Sequence, residues 1–356
     1  MNPNPTNPDP SSKEALAASL VIDGPGLIDG GLFGLPFSAA QSDLVLLPVP
    51  WDVTTSYRPG TAEGPRLILE ASTQIDLWDR DVPEAWRRGI HMLPIDAAIQ
   101  ARSTALRAVA EGQIEAQERG EAPDPAALAE VNAGCEALHE LIEACAAELL
   151  DAHPHVGLVG GDHSTPLGFL RALARRHEGF GVLQIDAHAD LRPGYEGFAT
   201  SHASIMHNAL ALPQIARLVQ VGVRDLCAQE VEVIRGSKGR IACHFDADLQ
   251  AGRFEGATWA EQVRRILEPL PQEVYVSFDI DGLDPTLCPG TGTPVPGGLS
   301  FAQVDYLLRA LARSGRRIIG FDLNEVASGG SEWDAIVGAR ALWLLSIATF
   351  LSAPAT

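Results

Sequence analysis

Aspartate and histidine alternate in QIDAHADLRPGYEGF, residues 184–198, which spaces Asp186, His188 and Asp190 two apart with Arg192 next in the series. Two further pairs belong with them. Asp162-His163 follow the run HVGLVGG, and Asp279 and Asp281 follow EVYVSF. Side chains at i, i+2 and i+4 of an extended chain point the same way. The spacing therefore predicts that Asp186, His188 and Asp190 converge, as do Asp279 and Asp281. Four carboxylates at one place repel one another unless cations neutralise them. A pair of divalent ions removes the conflict. Mixed oxygen and nitrogen ligands without thiolate suit Mn²⁺ best, with Ni²⁺ or Fe²⁺ less common. Each motif alone has a plainer explanation: Asp-x-Asp is usually a turn or cap, and His beside Asp a hydrogen-bonded pair. Their coincidence favours metal.

The elements that must carry these residues are legible as short apolar runs. DLVLLPVP (43–50), HVGLVGG (155–161), GVLQIDA (181–187), RLVQVGV (217–223), EVYVSFDID (273–281) and RRIIGFDL (316–323) are bounded by Gly, Pro or Asp and predict buried parallel strands. Between them lie helical patterns. The longest spans about residues 125–151, with Leu128, Val131, Cys135, Leu138, Ile142, Cys145 and Leu149 at three- and four-residue steps. Others begin near Pro166, Ser201, Thr258, Ser300 and Asp334, whereas residues 101–125 fit either a helix or a surface loop. Strand–helix alternation predicts a parallel sheet covered by helices on both faces, a three-layer αβα arrangement. Ligands of such sheets bind at the carboxyl ends of the strands, where the aspartates and histidines stand. Residues 1–40 read as an N-terminal arm, its first dozen Pro/Asn/Ser-rich and disordered, and residues 41–356 as the catalytic domain. GPGLIDGGLFGLPF within the arm is apolar enough to pack on the body or on a neighbouring subunit.

The chain of 356 residues is 46% hydrophobic and 20% charged, which suits a soluble protein with a sizeable core. Its formal net charge of −20 argues against nucleic acid or an anionic membrane as partner and suits a small cationic substrate. The five cysteines form no C-x-x-C pair, so neither a disulfide framework nor a structural zinc site is expected. No basic n-region with an apolar h-region opens the chain, and no uninterrupted apolar run approaches a membrane span, so a cytoplasmic location is the expectation.

The motifs resemble those of the ureohydrolases: arginase, agmatinase and related amidinohydrolases. The resemblance rests on GGDHS (160–164), QIDAHADLR (184–192), SFDIDGLDPTLCPGTGTPVPGG (277–298) and GFDLNEV (320–326), with an agmatinase-like VPWDVTTSYRPGTAEGP (49–65), and covers roughly residues 43–350. It implies the arginase-like fold, a single αβα domain with a mostly parallel sheet of about eight strands, together with two divalent ions and homo-oligomers such as trimers or hexamers. It also implies His163, Asp186, Asp190 and Asp279 around one ion, with His188, Asp186, Asp190, Asp279 and Asp281 around the other. His202, in FATSHASIM, matches the family's proton-shuttling histidine; helix capping near Ser201 is its plainer role. Glu325, in GFDLNEV, matches the glutamate that pairs with a guanidinium; its plainer role is an ion pair with a core arginine. The loop GTGTPVPGG (290–298) lacks the Lys-Ser/Thr ending of a phosphate loop and shapes the pocket instead, with Thr293 a substrate neighbour. The implied chemistry is attack of an activated water on a guanidino carbon, releasing urea or a substituted urea and an amine or ammonia.

Two departures bear on the substrate. Arg192 stands where arginases carry Asn, and Cys227, in VGVRDLC, stands where they use an Asp to hold the α-amino group. Both remove contacts to an amino-acid head group, so arginine is disfavoured. Free guanidine, or a small substituted guanidine or biguanide, fits best, with Arg192 a pocket-closing residue paired with Glu196. The branch with such segments includes enzymes linked to nickel, or working beside a metal-free paralogue. Agmatine and formiminoglutamate remain open as substrates. Outside hydrolysis of guanidines, a metal-free structural subunit would lack intact ligands, and a single-metal deacetylase-type hydrolase would not need both DAHAD and DID.

Overall fold

The strands run β1 (Leu44–Pro48), β2 (Ile90–Met92), β3 (His155–Val159), β4 (Phe180–Ile185), β5 (Ile215–Val223), β6 (Ile241–Phe245), β7 (Glu273–Asp279) and β8 (Arg317–Asn324). All pair in parallel, in the order β2-β1-β3-β8-β7-β4-β5-β6. The computed structural model describes residues 12–353 apart from 25, 28 and 29. Six of the eight strands coincide with the predicted runs. The two missed, β2 and β6, are the sheet's edges, where β2 has three residues and β6 is mostly half-buried.

Alternate strand residues serve opposite layers. In β7, Val274, Val276 and Phe278 join one hydrophobic cluster with the helices Phe301–Arg313 and Trp333–Ser352, while Tyr275 joins another with Ala97–Glu118 and Pro125–Ala152. The predicted three layers are therefore present. Residues 101–125 are mostly helix, within Ala97–Glu118, which starts on the Asp96 side chain accepting from Ala98 N at 2.7 Å. Trp333–Ser352 is apolar and long enough to cross a membrane by length and composition, but most of it is buried among the other elements, as a core helix is.

Of the N-terminal arm, residues 1–11, the bulk of the stretch expected to be disordered, lie outside the described residues. The helix Lys13–Ser19 is tied to the body by Lys13 Nζ on Asp43 Oδ1 at 2.7 Å. Leu32, Phe33, Leu35 and Phe37 are buried in the core, Phe33 edge-on to Trp343 at 5.1 Å between ring centres. The apolar part of the arm thus packs on its own domain.

Candidate metal centre

The predicted residues meet above the five adjacent strands β3, β8, β7, β4 and β5, but not by the expected route. β4 ends at Ile185, so Asp186, His188 and Asp190 lie beyond the strand, and Asp190 has a left-handed φ of 53°. β7 ends at Asp279, and Asp281 sits in the 3₁₀ turn Ile280–Gly282. The strand alternation used to predict convergence is therefore incorrect for both segments; turns that reverse the chain bring the groups together. Asp186 Oδ1 accepts from His188 N at 2.6 Å, and Asp279 Oδ1 accepts from Asp281 N at 2.9 Å, so each leading aspartate organises its own turn. Glu325, with φ 63°, is another buried site residue in a conformation that costs of order 1–3 kcal/mol. Such strain persists where surrounding structure enforces it.

His163 Nδ1 is approached by Asp186 Oδ2 at 2.9 Å, Asp190 Oδ2 at 3.0 Å and Asp279 Oδ2 at 3.2 Å. That nitrogen is buried, yet none of the three contacts has hydrogen-bond geometry. Four electron-rich atoms around one point are what a cation needs. A second group forms from Asp186, His188 and Asp281, with His188 Nδ1 3.0 Å from Asp281 Oδ2 and 3.5 Å from Asp186 Oδ1. Asp186 thus offers one oxygen to each group. The residues present fit two divalent ions sharing a carboxylate.

Electrostatics agree. Burial opposes charging His163, but the carboxylates of Asp186, Asp190 and Asp279 outweigh it and push its pKa well above the ordinary value. His188 is raised in the same way, chiefly by Asp281 and Asp186 against burial. Burial, then the charge on Asp186, pushes Asp190 from 3.8 up to about 7. Asp279 is raised further by burial and by Asp281. The folded metal-free chain thus holds protons on Asp190 and Asp279 that the unfolded chain has lost, and retains those on the histidines longer. Its stability falls as pH rises from about 4 through 7. Ions take the place of those protons and bind the deprotonated groups. Adding Mn²⁺ to chelator-treated protein is expected to raise Tm by on the order of 10 °C at saturation, with a larger rise at about pH 8 than at about pH 5. A rise that is absent, or larger at the lower pH, contradicts this.

Beneath the ligands lies a polar row missed from sequence. Gln220, Gln184, Ser277 and Asp322 occupy the same level on β5, β4, β7 and β8, all fully buried. Gln220 Nε2 donates to Gln184 Oε1 at 2.6 Å, and Gln184 Nε2 donates to Asp186 Oδ2 at 2.7 Å. Ser277 Oγ contacts His163 Nε2 at 2.9 Å and donates to Asp322 Oδ1 at 3.1 Å. These contacts fix the ring of His163 and the carboxylate of Asp186, as hydrogen-bond partners behind metal ligands do. Gly161 brings β3's following turn against Trp51, whose carbonyl a Cβ there would strike, and Asp162 N donates to that carbonyl at 2.7 Å.

A cavity of about 130 Å³ opens beside the metal groups, lined among others by His188, Asp190, Arg192, His202, Glu230 and Thr293. A hollow of about 720 Å³ under the arm has one lining carboxylate, Asp76, and no imidazole among the described residues, so it offers no comparable chemistry. His202 begins a 3₁₀ turn capped by Ser201, and its Nδ1 and Nε2 lie 3.3 Å from Ser201 Oγ and 3.5 Å from Ser56 Oγ. The capping role falls to Ser201, leaving the histidine facing the cavity. Burial, then positive charge at His188, pushes His202 down to about 3, so its imidazole is neutral near pH 7. Glu325 accepts from His163 N at 2.8 Å and has no cationic partner among the described residues, which rules out the core ion pair. It lies behind the cavity wall rather than on it, its Oε2 beside Gly292.

Two expectations need correction. Arg192 does not pair with Glu196; its Nε lies 3.8 Å from Glu230 Oε2, and its guanidinium stacks over Tyr195 at 4.7 Å. Glu196 instead turns the hairpin after Tyr195 with a φ of 54°. Cys227 is not on the cavity wall. It caps the helix Ala228–Gly236, and the acid that reaches the cavity from that helix is Glu230, whose Oε2 accepts from Cys227 N at 2.8 Å.

Comparison with known proteins accords with this geometry. The model of the arginase family matches residues 42–345. An N(1)-aminopropylagmatine ureohydrolase of Thermus thermophilus is 34% identical over 295 residues, covering 83% of this chain and 85% of the relative. The guanidinobutyrase of Pseudomonas aeruginosa is 30% identical over 298 residues, covering 80% and 79%. Among solved structures, the formiminoglutamase of Trypanosoma cruzi with a pair of Mn²⁺ ions superposes with a TM-score of 0.68 at 17% identity, covering 89% of this chain and 96% of that one.

Proposed function

The chain belongs to the arginase family, and from that premise we propose that it hydrolyses free guanidine or a small substituted guanidine or biguanide, giving urea or a substituted urea and ammonia or an amine. As a family member it is a ureohydrolase, acting on C–N bonds of linear amidines in guanidino compounds. The proposal concerns which guanidino compound, which residues act, and which metal.

The observation that carries the reading is the cavity. At about 130 Å³ it lies well below the roughly 300–1,000 Å³ of pockets for drug-sized ligands. His163, Asp186, Asp190 and Asp279 would hold one ion, and Asp186, His188 and Asp281 the other, as Mn²⁺ or Ni²⁺. Bound there, the ions supply a water activated near neutral pH and polarise the reacting carbon. The protein's own groups do the rest. Glu325 lies just behind the cavity wall beside Gly292, a buried carboxylate without a cationic partner among the described residues, and a guanidinium reaches its Oε2 only where that wall gives way. His202 faces the cavity within reach of Ser56 and is the imidazole placed to take a proton and return it to the departing nitrogen, which must leave protonated. Thr293 bounds the space the substrate enters.

A second reading, a substituted agmatine or agmatine itself, is favoured by the name of the Thermus relative. A substrate panel separates the two. Urea and amine release would be measured under Mn²⁺ and under Ni²⁺ with guanidine, methylguanidines, agmatine, 4-guanidinobutyrate, arginine, formiminoglutamate and metformin. The highest kcat/KM is expected for guanidine or a methylguanidine, with arginine near background. Agmatine at the head of the panel overturns the reading, and robust arginine turnover overturns it more completely.

A further inference from the structure

Among the described residues, Arg192 is the one fixed cation on the cavity wall, and its backbone and guanidinium are each engaged. Its backbone N donates to Ala203 O at 3.3 Å. Its guanidinium lies 4.7 Å over the Tyr195 ring, in cation–π range, and its Nε is 3.8 Å from Glu230 Oε2. Glu230 is itself immobile: buried, with Oε1 accepting from Leu191 N at 3.0 Å and Oε2 from Cys227 N at 2.8 Å.

Tyr195 is equally constrained. Tyr195 N donates to Phe198 O at 3.0 Å and Phe198 N to Tyr195 O at 2.8 Å, around Glu196 and Gly197 with φ of 54° and 83°. Two consecutive positive φ values make the tight turn that suits a two-residue hairpin. That turn is fastened to two long helices. Gln117 Nε2 donates to Glu196 O at 2.9 Å, and Asn132 Nδ2 to Gly197 O at 3.1 Å. Phe198 is fully buried beneath it. The ring of Tyr195 in turn stands edge-on to His202 at 6.3 Å. Moving Arg192 out of the cavity would break a stack and an ion pair whose partners have no freedom to follow.

We propose that Arg192, stacked on Tyr195 and paired with Glu230, is a fixed cationic stopper that confines the substrate to singly charged guanidines with a short, uncharged substituent. The proposal rests on the reading of this cavity as a guanidino site. A longer chain meets the stacked guanidinium, and a second ammonium meets its charge as well. Glu230 is already engaged by two backbone donors and by Arg192, so it is no free partner for that ammonium. Of the other two cavity acids, Asp190 is engaged in the metal group with His163, and Asp225 is exposed to solvent, where its attraction is weak.

The test measures kcat/KM of the Mn²⁺-loaded full chain toward guanidine, n-butylguanidine and agmatine in wild type, R192A and R192Q. Thermal shifts with the same compounds read the corresponding ratios of binding affinity if turnover is slow. R192A is expected to raise the agmatine-to-guanidine ratio at least about tenfold, since a like charge set against a bound ammonium is costly. R192Q keeps most of the bulk without the charge, and is expected to raise agmatine relative to n-butylguanidine. It also decides the matter if R192A fails to fold. Ratios within twofold of wild type in the variants overturn the stopper, whichever compound the wild type prefers. A wild type that prefers agmatine overturns the small-substrate reading separately.

Discussion

Asp186→Asn lowers kcat/KM by roughly a thousandfold or more and leaves the protein with fewer than two divalent ions per chain. The reason is position. Asp186 Oδ2 belongs to the group around His163 and Asp190, and Asp186 Oδ1 faces His188 in the group with Asp281. Burial would raise its pKa, but the adjoining His163 and His188, when positively charged, hold it well below the usual carboxylate range. It is thus an obligate anion shared between both groups. The amide has the same shape but one weak oxygen ligand and no charge. Losing a metal's stabilisation of developing charge removes several kcal/mol, and each ~1.4 kcal/mol is tenfold in rate. Steady-state kinetics with metal analysis of the same sample check this. A variant that keeps two ions and activity within about tenfold of wild type sinks the assignment of Asp186 as the bridge.

Glu325→Gln separates binding from stability, and the two move in opposite directions. The carboxyl is 5% exposed and has no cationic partner among the described residues, and burial, then the charge on Asp162, raises its pKa well above the ordinary value. A folded carboxyl that holds its proton more tightly than the unfolded one loses stability as pH rises above the ordinary glutamate value. Glutamine has no such loss, so the metal-free variant is expected to melt at the same temperature as wild type or higher, with the gain increasing toward alkaline pH. Activity goes the other way. The substrate's guanidinium loses its charged partner, and a charge-assisted pair in a dry site is worth roughly 10²- to 10³-fold. Melting curves across pH and kcat/KM on guanidine read both. A variant that is less stable and fully active would show Glu325 to be structural only.

Much of the centre was legible because its chemistry demands particular residue types. Carboxylates and imidazoles at strand ends have few reasons to cluster, and GGDHS, DAHAD and DID marked six groups that the fold does gather. The geometry was not legible. Two-residue spacing looks the same whether the chain stays extended or turns, and here Asp190 adopts a φ of 53° that only three-dimensional context enforces. The edge strands were missed because β2 is too short for a pattern and β6, IACHF, is only half-buried. The helix Ala97–Glu118 buries Ser103 and Ala110 beside Leu106 and Ile114, and small residues blur an amphipathic stripe. The polar row under the ligands did leave a signal: a glutamine stands inside each of the apolar runs GVLQIDA and RLVQVGV, and Gln184 pairs in register with Gln220. A buried amide in a strand needs a partner, and the partners were each other and Asp186. Glu230 left a weaker trace, since an acid in the first turn of a helix ordinarily serves as a cap. It does serve as one here, while also meeting Arg192.

If Asp186 joins two metal sites in one chain, the Mn²⁺-loaded, dialysed protein, its metal quantified against protein concentration, holds two ions per chain, and Asp186→Asn holds fewer than two. One ion or none in the wild-type chain contradicts a shared carboxylate.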